Sequence, residues 1–96
     1  MNKQQIKNLE KRLEDFGWVT SDFGFDTPHY KGIIDVVGRK ITGRKYYLFV
    51  FKNTKSPQTL GTIEKTLRIV YGTYYDRIYT FGCKGKELFQ YSRYNK

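Results

Sequence analysis

Residues 45–51, KYYLFVF, place six aromatic or aliphatic side chains in an unbroken row behind a single lysine. Alternation along a strand sends Tyr46, Leu48 and Val50 to one face and Tyr47, Phe49 and Phe51 to the other, so neither face is left for water. Such a strand belongs in the middle of a sheet that is covered on both sides. The chain has 96 residues, and a domain of that size buries somewhat over roughly 60% of the surface its unfolded form exposes. One domain spanning 1–96 with one modest core is therefore expected.

The flanking segments supply the covers. Ile6, Leu9, Leu13 and Phe16 recur at spacings of three and four, which predicts a helix over 2–16 with one apolar stripe, ended by Gly17. WVTSDFGF, 18–25, reads as a strand, and DTPHYKG, 26–32, as a loop punctuated by Pro28 and Gly32. YKGIIDVVG, 30–38, reads as a second strand with Ile33, Asp35 and Val37 on one face, followed by a tip, GRKITGRK, over 38–45. After the apolar row, Ser56 and Pro57 form a cap and first-turn pair. Leu60, Ile63, Leu67, Val70, Tyr71 and Tyr74 then predict a second helix ending near Tyr75. DRIYTFGC and KELFQYSRY close the chain as two strands joined at Lys84, Gly85 and Lys86. The predicted class is α/β: helix, three strands, helix, two strands, a single mixed central sheet flanked by helices.

Charge points to the partner. Eighteen Lys and Arg against nine Asp and Glu give a net charge of +9, which suits a polyanion. No acid occurs between Val36 and Ile63, whereas Arg39, Lys40, Arg44, Lys45, Lys52 and Lys55 all fall there. Six phosphate contacts would give a slope of about −5 in log K against log salt for duplex DNA. Nucleic acid, with DNA favoured, is the expected partner, and a solvated basic face is the plainer alternative. A membrane partner is not expected, because the cations lie among strand-like segments and no apolar run reaches about 18 residues. With no signal-peptide pattern at the start and a single cysteine, Cys83, a cytoplasmic location is expected.

Asp35 and Lys52 are the candidate chemical residues. An isolated carboxylate within an apolar strand is costly unless paired or bound to a cation, and the hairpin joining the two strands can set Lys52 beside it. Carboxylates that hold Mg²⁺ and a lysine that steadies a phosphate are what metal-dependent phosphodiester cleavage needs. In this layout the chain resembles the PD-(D/E)XK nuclease superfamily, of restriction-endonuclease-like fold, and within it the archaeal Holliday junction resolvases. IKNLEKRLEDFGWVTS is similar to their opening helix and strand, GIIDVVGRK to the strand bearing the metal-binding aspartate, and KYYLFVFKNTK to the strand ending in glutamate, any residue and lysine.

The resemblance implies an endonuclease using Mg²⁺ or Mn²⁺, with Asp35 as the motif aspartate, Lys52 as the motif lysine, and a homodimer. The motif glutamate is replaced by Val50. Two acids are candidates to stand in for it. Glu64 lies about 70° from the centre of the second helix's stripe at 100° per residue and is the candidate metal ligand beside Asp35. Glu10, on the edge of the first helix's stripe, is similar to a glutamate of the resolvases' opening helix; Glu14 is further out. Arg39, Lys40, Arg44, Lys45 and Lys55 are the candidate nucleic-acid contacts.

Plainer readings accompany each residue. Asp35 can be bonded to backbone at a strand end, Lys52 can extend its charge to water, and the glutamates can be solvated helix flanks. His29 is a lone loop histidine. Tyr30, Tyr46, Tyr47, Tyr91 and Tyr94 can stack on bases if exposed, but so small a sheet needs most of them for its core. The functions that compete with an endonuclease are a catalytically inactive nuclease fold that binds nucleic acid or another protein, and a double-stranded-RNA-binding module.

Overall fold

The apolar row is the second of four strands in a computed structural model that describes residues 1–20 and 33–91. The elements are α1 (Lys3–Asp15), β1 (Val36–Thr42), β2 (Lys45–Phe51), α2 (Pro57–Tyr71), β3 (Arg77–Lys84) and β4 (Glu87–Gln90). The sheet runs β1-β2-β3-β4. β1 pairs antiparallel with β2, β2 parallel with β3 across the α2 connection, and β3 antiparallel with β4. The class is α/β with a mixed sheet, as the sequence predicts.

Both faces of β2 are covered. Leu48 and Val50 pack with Ile63 and Leu67 of α2 and Ile78 of β3. Phe49 and Phe51 pack on the other side with Leu9 and Leu13 of α1, Val36 and Cys83. Period-two alternation thus divides one strand between two helices.

Capping chemistry sets the helix ends. Asn2 Oδ1 accepts the Gln5 N–H at 2.9 Å while Gln5 Oε1 accepts the Asn2 N–H at 2.9 Å, a reciprocal box that satisfies two otherwise orphaned donors. At the other end Gly17 takes φ +91°, Trp18 N–H bonds to the Leu13 carbonyl and Gly17 N–H to that of Glu14, each at 3.0 Å. Phe16 is the cap residue itself and has left the helical period, so it is 71% exposed instead of completing the apolar stripe. In α2, Ser56 Oγ accepts the Thr59 N–H at 3.3 Å and Pro57 opens the helix. Ser56→Ala is expected to cost about 1 kcal/mol and to lower the melting temperature by about 4–8 °C. Thermal unfolding followed by circular dichroism checks this against Ser56→Gly, which costs only a few tenths of a kcal/mol.

α2 stops at Tyr71, short of Tyr75. Gly72 follows, and Tyr74 and Tyr75 donate back to the Tyr71 carbonyl at 2.9 and 3.0 Å in the turn that leads to β3. Val70, in the last turn of α2, and Tyr74, in the turn beyond it, stay 49% and 63% exposed.

The β1–β2 hairpin differs from the expected one. Thr42 opposes Lys45, leaving Gly43 and Arg44 as a two-residue turn with Gly43 at φ +61°. β1 therefore runs through Gly38, Arg39 and Lys40, which the sequence reading put in the tip. Gly38 serves packing: a methyl group there would come within 3.3 Å of the Trp18 ring. Val19 exchanges backbone bonds with Arg39 at 2.8 and 2.9 Å, an antiparallel bridge on the outer side of β1. The remainder of the strand predicted over 18–25, and the loop with His29 and Tyr30, lie outside the described residues, as does Tyr94. Among the described residues no helix is long and apolar enough to cross a membrane.

Candidate functional site

The hairpin register brings Asp35 to Lys52. Val36 pairs with Phe51, and one step beyond, Asp35 N–H donates to the Phe51 carbonyl at 2.9 Å while Lys52 N–H donates to that of Phe81 at 3.0 Å. Both backbones are held, and Lys52 Nζ lies 3.9 Å from Asp35 Oδ2. The same oxygen accepts the Asn53 N–H at 2.7 Å. Asn53 is a contributor the sequence reading missed: its Oδ1 also accepts from Cys83 Sγ at 3.0 Å, tying the segment after β2 to β3. The side chains of Lys52 and Asp35 are 28% and 31% exposed, and a pair that wet contributes only about 0–1 kcal/mol. It presents a carboxylate and an ammonium together at the sheet's end more than it stabilises the fold.

The other candidates have different surroundings. Val50 is 1% exposed beneath α2, so the position that the resemblance would give to the motif glutamate is a core position. Glu64 is buried, and its Oε1 accepts from Arg68 Nε at 3.2 Å and Nη2 at 3.1 Å, an ion pair one helical turn long. It lines a cleft of about 560 Å³ with Gly61, Lys65 and Tyr91, to which neither Asp35 nor Lys52 contributes. Glu10 is half-buried on α1, the helix that covers the Phe49 and Phe51 face, whereas Lys52 follows Val50 on the α2 face. Among the described residues no group of three or more His, Cys, Asp or Glu is placed to hold a metal ion.

The cations spread along the hairpin. Arg44 and Lys45 are exposed at its turn and Lys55 is exposed beyond β2. Lys40 is half-buried, its Nζ donating to the Phe16 carbonyl at 2.9 Å and lying 5.8 Å from the centre of the Trp18 ring. Arg39 is half-buried on the opposite face of β1, the face of Val37 and α2.

Beside Arg39 the structure assembles tyrosines that the sequence could not sort from core. Tyr74 meets Tyr46 edge-on with ring centres 5.5 Å apart, and meets Tyr75 edge-on at 5.2 Å. Asp76 clamps them to the hairpin: its N–H donates to the Tyr46 carbonyl at 2.8 Å and its Oδ2 accepts the Tyr46 N–H at 2.6 Å. Burial lifts the Tyr75 hydroxyl above the ordinary tyrosine range, opposed by the nearby Arg39 charge, so the ring stays neutral throughout the physiological range. Compared with known protein families, curated proteins and solved structures, the chain matches none of them.

Proposed function

We propose that this chain is a nucleic-acid-binding protein, with DNA favoured, on a restriction-endonuclease-like framework whose metal-binding glutamate has been given over to core packing. One observation carries this reading: the stretch from Val36 to Ile63 holds no acid, and it supplies the exposed cations Arg44, Lys45 and Lys55 along a single hairpin and its exit. Phosphate contacts of that kind supply nearly all of non-specific affinity.

A second reading, Mg²⁺- or Mn²⁺-dependent cleavage of DNA, is favoured by one contact, the 3.9 Å approach of Lys52 to Asp35. The donor set does not suit a complete centre of the nuclease type: Val50 is a core residue, Glu64 is bonded to Arg68 in a cleft that Asp35 does not line, and among the described residues no three acids, His or Cys are placed together. Binding therefore ranks ahead of catalysis.

The test is fluorescence anisotropy with labelled duplex DNA, single-stranded DNA, a four-way junction and double-stranded RNA, in EDTA at low salt. Binding to DNA with a dissociation constant of about 10⁻⁶ M is expected, a strength that backbone contacts supply without sequence readout. No binding to any of the four overturns the reading, and preference for the RNA duplex moves it to the RNA-binding alternative. Adding Mg²⁺ or Mn²⁺ is expected to leave the substrates intact. Cleavage that Asp35→Ala abolishes without loss of affinity would establish the second reading instead.

A further inference from the structure

The tyrosines of the α2–β3 turn and the outer part of β1 enclose a cleft of about 390 Å³, at the opposite end of the hairpin from Asp35 and Lys52. Arg39 and Ile41 face it from β1, Tyr46 from β2, Tyr74 and Tyr75 from the turn, and Val19 from the strand segment bridged to Arg39. We propose that this cleft takes an unstacked base of single-stranded nucleic acid, with the adjoining phosphates met by Arg39 and by Arg44 and Lys45 of the hairpin turn. The proposal rests on the nucleic-acid reading above and specifies a substrate form for it.

Three features argue for a base. The size lies within the roughly 300–1,000 Å³ of small-molecule pockets. The walls are aromatic and aliphatic yet uncovered: Tyr74 is 63% exposed, Ile41 67% and Val19 51%. Rings left open to water in this way offer stacking area that every base can use, which is how single strands are held without sequence preference. The lining also includes two cationic residues, Arg39 and Lys40, and, among the described residues, no acid. The Lys40 ammonium is directed to the Phe16 carbonyl, Arg39 lines the cleft itself, and Arg44 and Lys45 are exposed at the hairpin turn, a short way along the strands from Ile41 and Tyr46. Asp76, which follows Tyr75 of the lining, is occupied by the Tyr46 amide. Open aromatic rings with cations beside them suit the bases and phosphates of a single strand.

The site is also preformed. Because Asp76 both donates to and accepts from the Tyr46 backbone, the tyrosine turn and the hairpin form one rigid unit, and little ordering is left to oppose binding. Duplex DNA keeps its bases stacked and cannot fill such a cleft, so the cleft selects for single-stranded or frayed segments.

Anisotropy with labelled oligothymidine and with a blunt duplex, in EDTA at fixed salt, tests the proposal on the full chain. Tyr74→Leu is expected to weaken oligothymidine binding at least about fivefold, the lower end for one stacked base, while Tyr74→Phe keeps the ring and the affinity. Duplex binding is expected to change less than about twofold in either variant, since phosphate contacts carry it. If Tyr74→Leu leaves oligothymidine affinity at the wild-type value, or the wild type binds duplex but not oligothymidine, the cleft is not a base site and the nucleic-acid reading stands. If the wild type binds neither, the nucleic-acid reading fails and the cleft assignment fails with it.

Discussion

Raising salt from about 50 to about 200 mM is expected to weaken binding to duplex DNA by roughly 40-fold, from a slope of about −0.9 for each phosphate neutralised. The exposed cations Arg44, Lys45 and Lys55 enter that number and give a slope of about −2.7. Lys52 does not enter because its charge is offset by Asp35 at 3.9 Å, Lys40 because its ammonium is directed to the Phe16 carbonyl, and Arg39 because it faces the cleft, which a duplex does not fill. The cations need not be held in any special geometry, because displaced counterions drive the effect. Replacing Arg44 and Lys45 with serine should therefore make the slope shallower by about 2 without touching the fold, both residues being exposed at the turn. Anisotropy titrations across the salt series measure both slopes. A slope near zero, or one that Arg44→Ser and Lys45→Ser leave unchanged, places the interaction elsewhere on the surface.

The largest expected loss of stability comes from Phe51→Ala. Phe51 is 0% exposed and shares its cluster with Leu9, Leu13, Val36, Phe49 and Cys83, so its ring joins α1 to three strands at once. Truncating a buried phenylalanine costs about 3–5 kcal/mol. A 96-residue domain is stable by only about 5–14 kcal/mol at 0.05–0.15 per residue. A drop in melting temperature of at least about 12 °C follows at 4–8 °C per kcal/mol. Urea unfolding followed by Trp18 fluorescence reports the same core, because Trp18 packs against that cluster with its ring 5.9 Å from Phe49. A loss below about 1 kcal/mol would mean that the α1 face relaxes around the hole and is not packed to ordinary interior density. The comparison with Tyr74→Leu is instructive: a ring of similar size on the exposed turn should barely shift the urea midpoint.

Local rules made several features legible in advance. Gly17 and the Ser56-Pro57 pair end and begin helices through bonds that span a few residues, and both act where expected. The double apolar face of β2 required two covers, and α1 and α2 provide them. The hairpin was legible in kind but not in length. Gly38 and Gly43 are equal as letters, but only Gly43 takes positive φ, and Gly38 is small because Trp18 lies on it. Arg39 and Lys40 consequently belong to a strand, one on each face. The periodicity that put Phe16, Val70 and Tyr74 on apolar stripes counts angle around a helix, and it cannot see where the helix stops or where the sheet beneath it ends.

What the sequence determined by itself was the class of fold, the central place of residues 45–51, the basic character of the hairpin and the meeting of Asp35 with Lys52, because each follows from alternation, capping or charge within short reach. The tertiary structure alone decided that Val50 is closed beneath α2, that Glu64 answers Arg68, and that Tyr46, Tyr74 and Tyr75 form a cleft beside Arg39. Those outcomes depend on how far α2 runs and where it turns back into β3. A helix face becomes interior or surface only once the sheet it crosses has its edges.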